Sequence, residues 1–235
     1  LYVFLSYSSW LTSSCIAPVG ADIKFHVATV RSFVDQIKNY GFIYPVDYLE
    51  DVSGFFWYIR GLIPLIAPAM AAIFLPFNAA FYFTYLLLYI AVVLAFYALV
   101  KSMTDVYTGF LSALFFLFSN LSNMVFSVGG NYQFFFGLLF FFLAVRYLFL
   151  YDQSGTRKNL ILLLMSAIAL GMTYIFSLIY FLSFMGLYGL LKKKWVLLKL
   201  AMLITLALGL FIVPLVVTGS SLSISGEFLS LGNLL

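Results

Sequence analysis

Seven long apolar runs, at 55–75, 79–100, 106–126, 134–150, 160–173, 176–191 and 196–217, follow one another along the chain with little between them. The breaks include "PFN", "KSMTD", "SVGGNYQ", "YDQSGTRKN" and "KKKW". A backbone inside lipid has no water to bond, so it must satisfy its own N–H and C=O groups. These runs are too continuous for barrel strands, which alternate apolar and polar residues. The pattern predicts an all-α fold, a polytopic transmembrane helical bundle. Charge agrees: 9% of residues are charged, against about 25% in an ordinary soluble domain.

The first apolar run, 1–11, falls short of the roughly 20 residues a span needs. Residues 1–13 therefore read as the outer end of a first transmembrane helix whose start is missing. Residues 14–78 read as an external loop with an amphipathic helix and a re-entrant segment. Residues 79–217 read as a bundle of about six spans, and 218–235 as an external tail, with the protein expected to continue beyond it. Two topologies satisfy the excess of cations on the cytoplasmic side. If 55–75 crosses, the loop before it is cytoplasmic together with Lys101, Arg157, Lys158 and Lys192 to Lys194. If 55–75 only dips, that loop is external and the later basic loops stay cytoplasmic. Arg60 inside the run favours the dip, as do Pro64 and Pro68, which are expected to break backbone bonding at mid-depth. Loop 14–54 sets Lys24, Arg31 and Lys38 against Asp22, Asp35, Asp47, Glu50 and Asp51, with no basic excess to hold it inside. The expected location is the plasma membrane, with loop 14–54 external.

The net charge of +4 comes from cations that flank spans, so orientation accounts for it and no nucleic-acid partner is implied. Cys15 is the only cysteine, which excludes an internal disulfide and a CxxC metal site. His26 is the only histidine, which excludes a multi-histidine metal centre.

Wound at 100° per residue, 22–38 has three stripes. Ile23, Val27, Val30, Val34 and Ile37 form an apolar one, and Lys24, Arg31, Asp35 and Lys38 a charged one. Asp22, His26 and Thr29 form the third, bounded by Phe33 and Gln36. The spacing predicts an amphipathic helix in the membrane interface with its apolar side toward lipid. Gly41 is expected to end it and Pro45 to keep the next segment extended. Asp22 at the first turn reads either as an N-cap or as a carboxylate at the water–lipid boundary, able to take a proton from a hydroxyl.

The stretch "GADIKFHVATVRSFVDQIKNYGFIYP" resembles the G-x-D-x-x-F/Y-H, helix and G-x-x-x-P order of the C-type glycosyltransferases, the GT-C superfamily. The later "SVGGNYQFFFGLLFFF…GMTYIFS" is similar to the middle of archaeal members. There an external Gly-rich turn opens a long span, and the span after the basic turn ends in L-x-x-T/H. The resemblance implies an inverting membrane transferase that moves a sugar from a polyprenyl phosphate or similar lipid-phosphate donor to an external acceptor. Asp22 matches the catalytic base, and His26 a position near the loop or the donor phosphate. Arg31, Arg60 or His26 would offset the charge of the leaving phosphate. Ala21 stands where mannosyltransferase-like members carry a second acid. Segment 119–133 has no Asp or Glu, and Thr173 and Tyr174 stand where a histidine is often found. These departures point away from metal dependence and whole-glycan transfer.

Other features keep two readings. "DYLED" supplies Asp47, Glu50 and Asp51, either a second acidic site able to take a divalent cation or a solvated turn; no cofactor is assigned. Arg60 either snorkels to lipid headgroups or binds the donor phosphate. Gly129, Gly130 and Asn131 form a tight turn or let backbone approach a ligand. "NLS" at 120–122 matches a glycosylation acceptor. Lys192 to Trp195 read as an orientation signal with an interfacial tryptophan. The expected partners are the lipid-linked donor, membrane lipids and other membrane proteins. A non-catalytic subunit or scaffold of a larger complex is the alternative function. A transporter is third, since the runs in 79–150 hold no ionisable residue before Arg146 beyond the loop residues Lys101 and Asp105.

Overall fold

A computed structural model describes residues 30–31, 33–35, 37–39, 63–119 and 132–206. Among these residues all regular structure is α-helical and no strand occurs. The described residues of 30–39 form helix α1. It is followed by α2 (Ile63–Phe74), α3 (Phe77–Met103), α4 (Val106–Phe118), α5 (Tyr132–Ser154), α6 (Arg157–Gly171) and α7 (Ile175–Leu191). The last is α8 (Trp195–Leu206).

The helix ends follow local chemistry. Asp105 opens α4: its Oδ1 accepts from the amides of Tyr107 and Thr108 at 2.8 and 3.0 Å, and its Oδ2 from the Thr108 hydroxyl at 2.7 Å. The Thr108 hydroxyl and amide hold this carboxyl below its ordinary value, because they bond to its ionised form. Gly155, at φ +62°, follows α5 and donates its amide to the Tyr151 carbonyl, the left-handed ending glycine permits. Pro68 lies inside α2, which runs on through it. No break occurs at Pro68; Pro64 is the second residue of α2, a 12-residue helix, and 55–62 lie outside the described residues.

The long helices α3 and α5 run parallel. Phe135 meets Tyr89 and Phe142 meets Phe96, with ring centroids 6.5 and 5.1 Å apart. Helix α4 folds back on α3. Phe116 packs on Phe96 and, nearer the turn, Gly109 leaves space for the Lys101 backbone. Helix α7 runs parallel to α5, with Phe181 against Phe141 and Tyr188 against Phe149. Its end then packs on α8, where a Cβ on Gly189 would lie 3.1 Å from the Leu198 nitrogen. Two apolar clusters result. One joins α1 (Val30, Phe33, Val34), α2 (Leu65, Ala69), the first half of α3 and the start of α5. The other joins the rest of α5 to α6, α7 and α8 around Phe181 and Met185. Helix α5 belongs to both.

The outside is apolar as well. Phe110, Phe115, Ile161, Met165, Ile179, Met202 and Leu203 are all exposed. Two helices, Ala79–Met103 and Gln133–Ser154, are long and apolar enough to cross a membrane; α2, α4, α7 and α8 are shorter apolar helices. The apolar runs predict about six spans, and two described helices reach crossing length.

Candidate functional site

Of the residues expected at the site, Arg31 falls within the described chain. Asp22, His26, Arg60, Asp47, Glu50 and Asp51 lie outside the described residues, as does Cys15. Arg31 is exposed on α1, with its guanidinium carbon 5.1 Å from the centroid of the Phe77 ring at the start of α3. Cation and ring face attract at this distance. Asp35, one turn on, is also exposed, and no ion pair between the two is found among the described residues.

The apolar stripe of α1 meets protein. Val30, Phe33 and Val34 are buried and pack in one cluster with Leu65 of α2, Ala80 and Phe81 of α3 and Phe135 of α5. That differs from the expected helix with its apolar side on lipid. Phe33, read from the sequence at the border of the Asp22, His26 and Thr29 stripe, belongs to the buried face. The reason is angular: at 100° per residue it falls about 60° from Val30 and about 40° from Ile37.

Beside this docking surface the bundle keeps a layer of buried polar groups. Gln133, in the first turn of α5, is 5% exposed, and its Nε2 has no hydrogen-bond partner among the described residues. Four residues on, Gly137 faces α7; a Cβ there would lie 2.8 Å from Ser177 Oγ and 3.5 Å from Tyr174 Cβ. A Cβ there would make the Ser177 hydroxyl turn away. Ser177 and Thr173 are buried, and Thr173 Oγ1 donates to the Ala169 carbonyl. Helix α7 starts after Tyr174 with no side-chain cap, and the Met172 carbonyl accepts from the Ile63 amide of α2. The starts of α2, α5 and α7 thus come together at one end of the bundle. A helix start offers unpaired amides and the positive end of the dipole. Among the described residues the donors at this end are Gln133 Nε2 and the uncapped first turn of α7, a pair able to meet a hydrogen-bond acceptor. Sequence reading passes over Gln133 and Ser177, whose only signal is a polar residue inside "NYQFFFG" and "TYIFS".

The opposite end is basic and internally braced. Asp152 of α5 pairs with Lys194, whose Nζ also donates to the Asp152 carbonyl at 3.1 Å. The Tyr188 hydroxyl donates to Asp152 Oδ2 at 2.9 Å. This triad ties the ends of α5 and α7 to the start of α8. Replacing Tyr188 with Phe should lower the unfolding free energy by about 1 kcal/mol, the usual worth of one such bond. Denaturant titration in bicelles measures it, and an unchanged midpoint would show that the bond contributes nothing.

Among the described residues no group of three His, Cys, Asp or Glu side chains lies close enough to hold a metal ion. Comparison with protein-family models, curated proteins and solved structures finds no match to this chain.

Proposed function

We propose that the chain is a polytopic plasma-membrane protein with glycosyltransferase-like activity, passing a sugar from a lipid-phosphate donor to an acceptor on the external side. Asp22 acts as the base that deprotonates the acceptor hydroxyl, and the oxygen displaces the lipid phosphate from the sugar carbon with inversion. His26, Arg31 and Arg60 offset the charge that develops on the leaving phosphate. One observation supports this reading: the described part of the segment that resembles the transferase motif, helix α1, packs into the bundle. Val30, Phe33 and Val34 of α1 share one buried cluster with α2, the first half of α3 and the start of α5, and near that start of α5 Gln133 and the uncapped start of α7 supply donors. The stripe of Asp22, His26 and Thr29 read from the sequence shares its helical azimuth with Phe33, which is buried. That supports a role for the stripe against the bundle rather than in free water. The lipid donor reaches such a site from the bilayer and the acceptor from water.

The apolar exterior and the two helices of crossing length support the membrane placement. The reading is tested by labelling Cys15 in intact cells with a membrane-impermeant thiol reagent, alongside a transfer assay in vesicles loaded with polyprenyl-phosphate sugars. External labelling with sugar transfer is expected. Labelling only after the cells are opened would place the motif loop on the cytoplasmic side and end the proposal.

A further inference from the structure

We propose that Arg146 and Lys101 hold the phosphate of an anionic phospholipid where α3 and α5 approach the basic end of the bundle. This rests on the membrane placement above and is independent of sugar transfer.

Arg146 is the only charged residue of α5 before Asp152. Its Nε is buried and has no hydrogen-bond partner among the described residues, and its guanidinium lies 5.5 Å from the Tyr147 ring centroid. Among the described residues the carboxylates at this end are engaged elsewhere. Asp152 is taken by Lys194 and Tyr188, and the oxygens of Asp105 accept from Tyr107 and Thr108. A cation drawn into low-dielectric surroundings is costly until an anion meets it.

Register brings a second cation to the same level. Phe142 and Phe96 are in contact on parallel helices, as are Phe135 and Tyr89. Arg146 and Val100 each lie four residues, about one turn, beyond the first pair. Lys101 follows Val100; it is exposed, with Nζ 5.7 Å from the Tyr97 ring centroid. Arg146 shares a helix face with Phe142, which also packs on Phe116 of α4. The two cations are thus on neighbouring helices, beside the α3–α4 hairpin.

The chemistry they share is phosphate recognition, and the surroundings select a lipid. Phe110, Leu111 and Phe115 of α4 are exposed from this level back toward the middle of the helices, an apolar bed for acyl chains that free phosphate would not use. Arg157, Lys158, Lys192 and Lys193 are exposed at the same end and draw anionic headgroups toward it.

The test uses the full chain in neutral detergent and measures the thermal midpoint on adding phosphatidylglycerol, phosphatidylcholine, inorganic phosphate or glycerol phosphate. With phosphatidylglycerol at about one hundred times its Kd, the midpoint should rise by roughly 5–10 °C for a chain of this size. The other three should give little. Arg146→Gln should lose most of the shift, Arg146→Lys should keep part of it, and Lys101→Gln should reduce it. Lys158→Gln, at the outer turn, should keep most of it. Equal protection by phosphatidylcholine would overturn the proposal, as would protection by free phosphate, since each removes the need for an anionic lipid. Both are read on the unmodified chain, so they decide the matter even if a variant fails to fold. Loss of this preference alongside intact sugar transfer would remove the lipid site and leave the proposed activity standing.

Discussion

Asp22→Asn should lower sugar transfer by about 10²- to 10⁴-fold, the usual contribution of a positioned general base, while the chain still inserts and folds. The substitution separates the two meanings of this residue. Asp and Asn are near-equal N-caps, because either side-chain oxygen accepts from the first-turn amides. An asparagine therefore keeps the capping role that a purely structural Asp22 would have. It cannot take a proton from a hydroxyl, since its amide is not basic in water. Wild-type transfer in the variant, with wild-type yield in the membrane, would show that the residue is a cap and nothing more. The pH dependence gives a second readout: the acidic limb of the rate profile should belong to the base and vanish with it. Asp22→Glu should recover part of the rate, because the charge returns at a displaced position.

The sequence made the long elements plain and the short-range chemistry of their ends less so. Helices α3 and α5 follow directly from uninterrupted apolar runs. Their ends extend past those runs because Thr104 and Gly155 stop them, and neither is visible to a hydropathy argument. Pro68 misled because proline removes one backbone bond from a helix without preventing neighbours from holding the helix together; Leu65 and Ala69 beside it are fully buried. Phe33 misled because an interfacial helix and a docked helix have the same period, and only the partner tells them apart. The bracing of Asp152 by Tyr188 and Lys194 could not be read at all, since its members stand 36 and 42 residues apart. Gln133 and Ser177 were hidden for a different reason. A polar residue inside an apolar run looks like tolerated noise until the helix facing it is known.

Phe181→Ala tests the bilayer itself as solvent. Phe181 is fully buried between α5, α6 and α7, with its ring edge-on to Phe141 at 6.3 Å. In a water-soluble protein, Phe→Ala at such a site costs roughly 3–5 kcal/mol. That cost joins two parts. One is the transfer of apolar surface between water and core, roughly 1.5–3 kcal/mol for a side chain of this kind. The other is the cavity left behind, whose lining atoms forfeit the dispersion attraction of the missing ring. In lipid the first part drops out, because separated helices expose the ring to acyl chains that are as apolar as the core. The expected loss in bicelles, measured by reversible unfolding, is therefore roughly 1.5–2 kcal/mol, the cavity part alone. The paired control is Phe115, which is 77% exposed on α4. Phe115→Ala should change stability little in lipid, because no cavity forms. A Phe181→Ala loss of the full soluble size would mean that unfolding carries this ring into water, against a membrane position for α7. No loss at all would mean that α7 does not pack on α5 as Phe141 and Phe181 require.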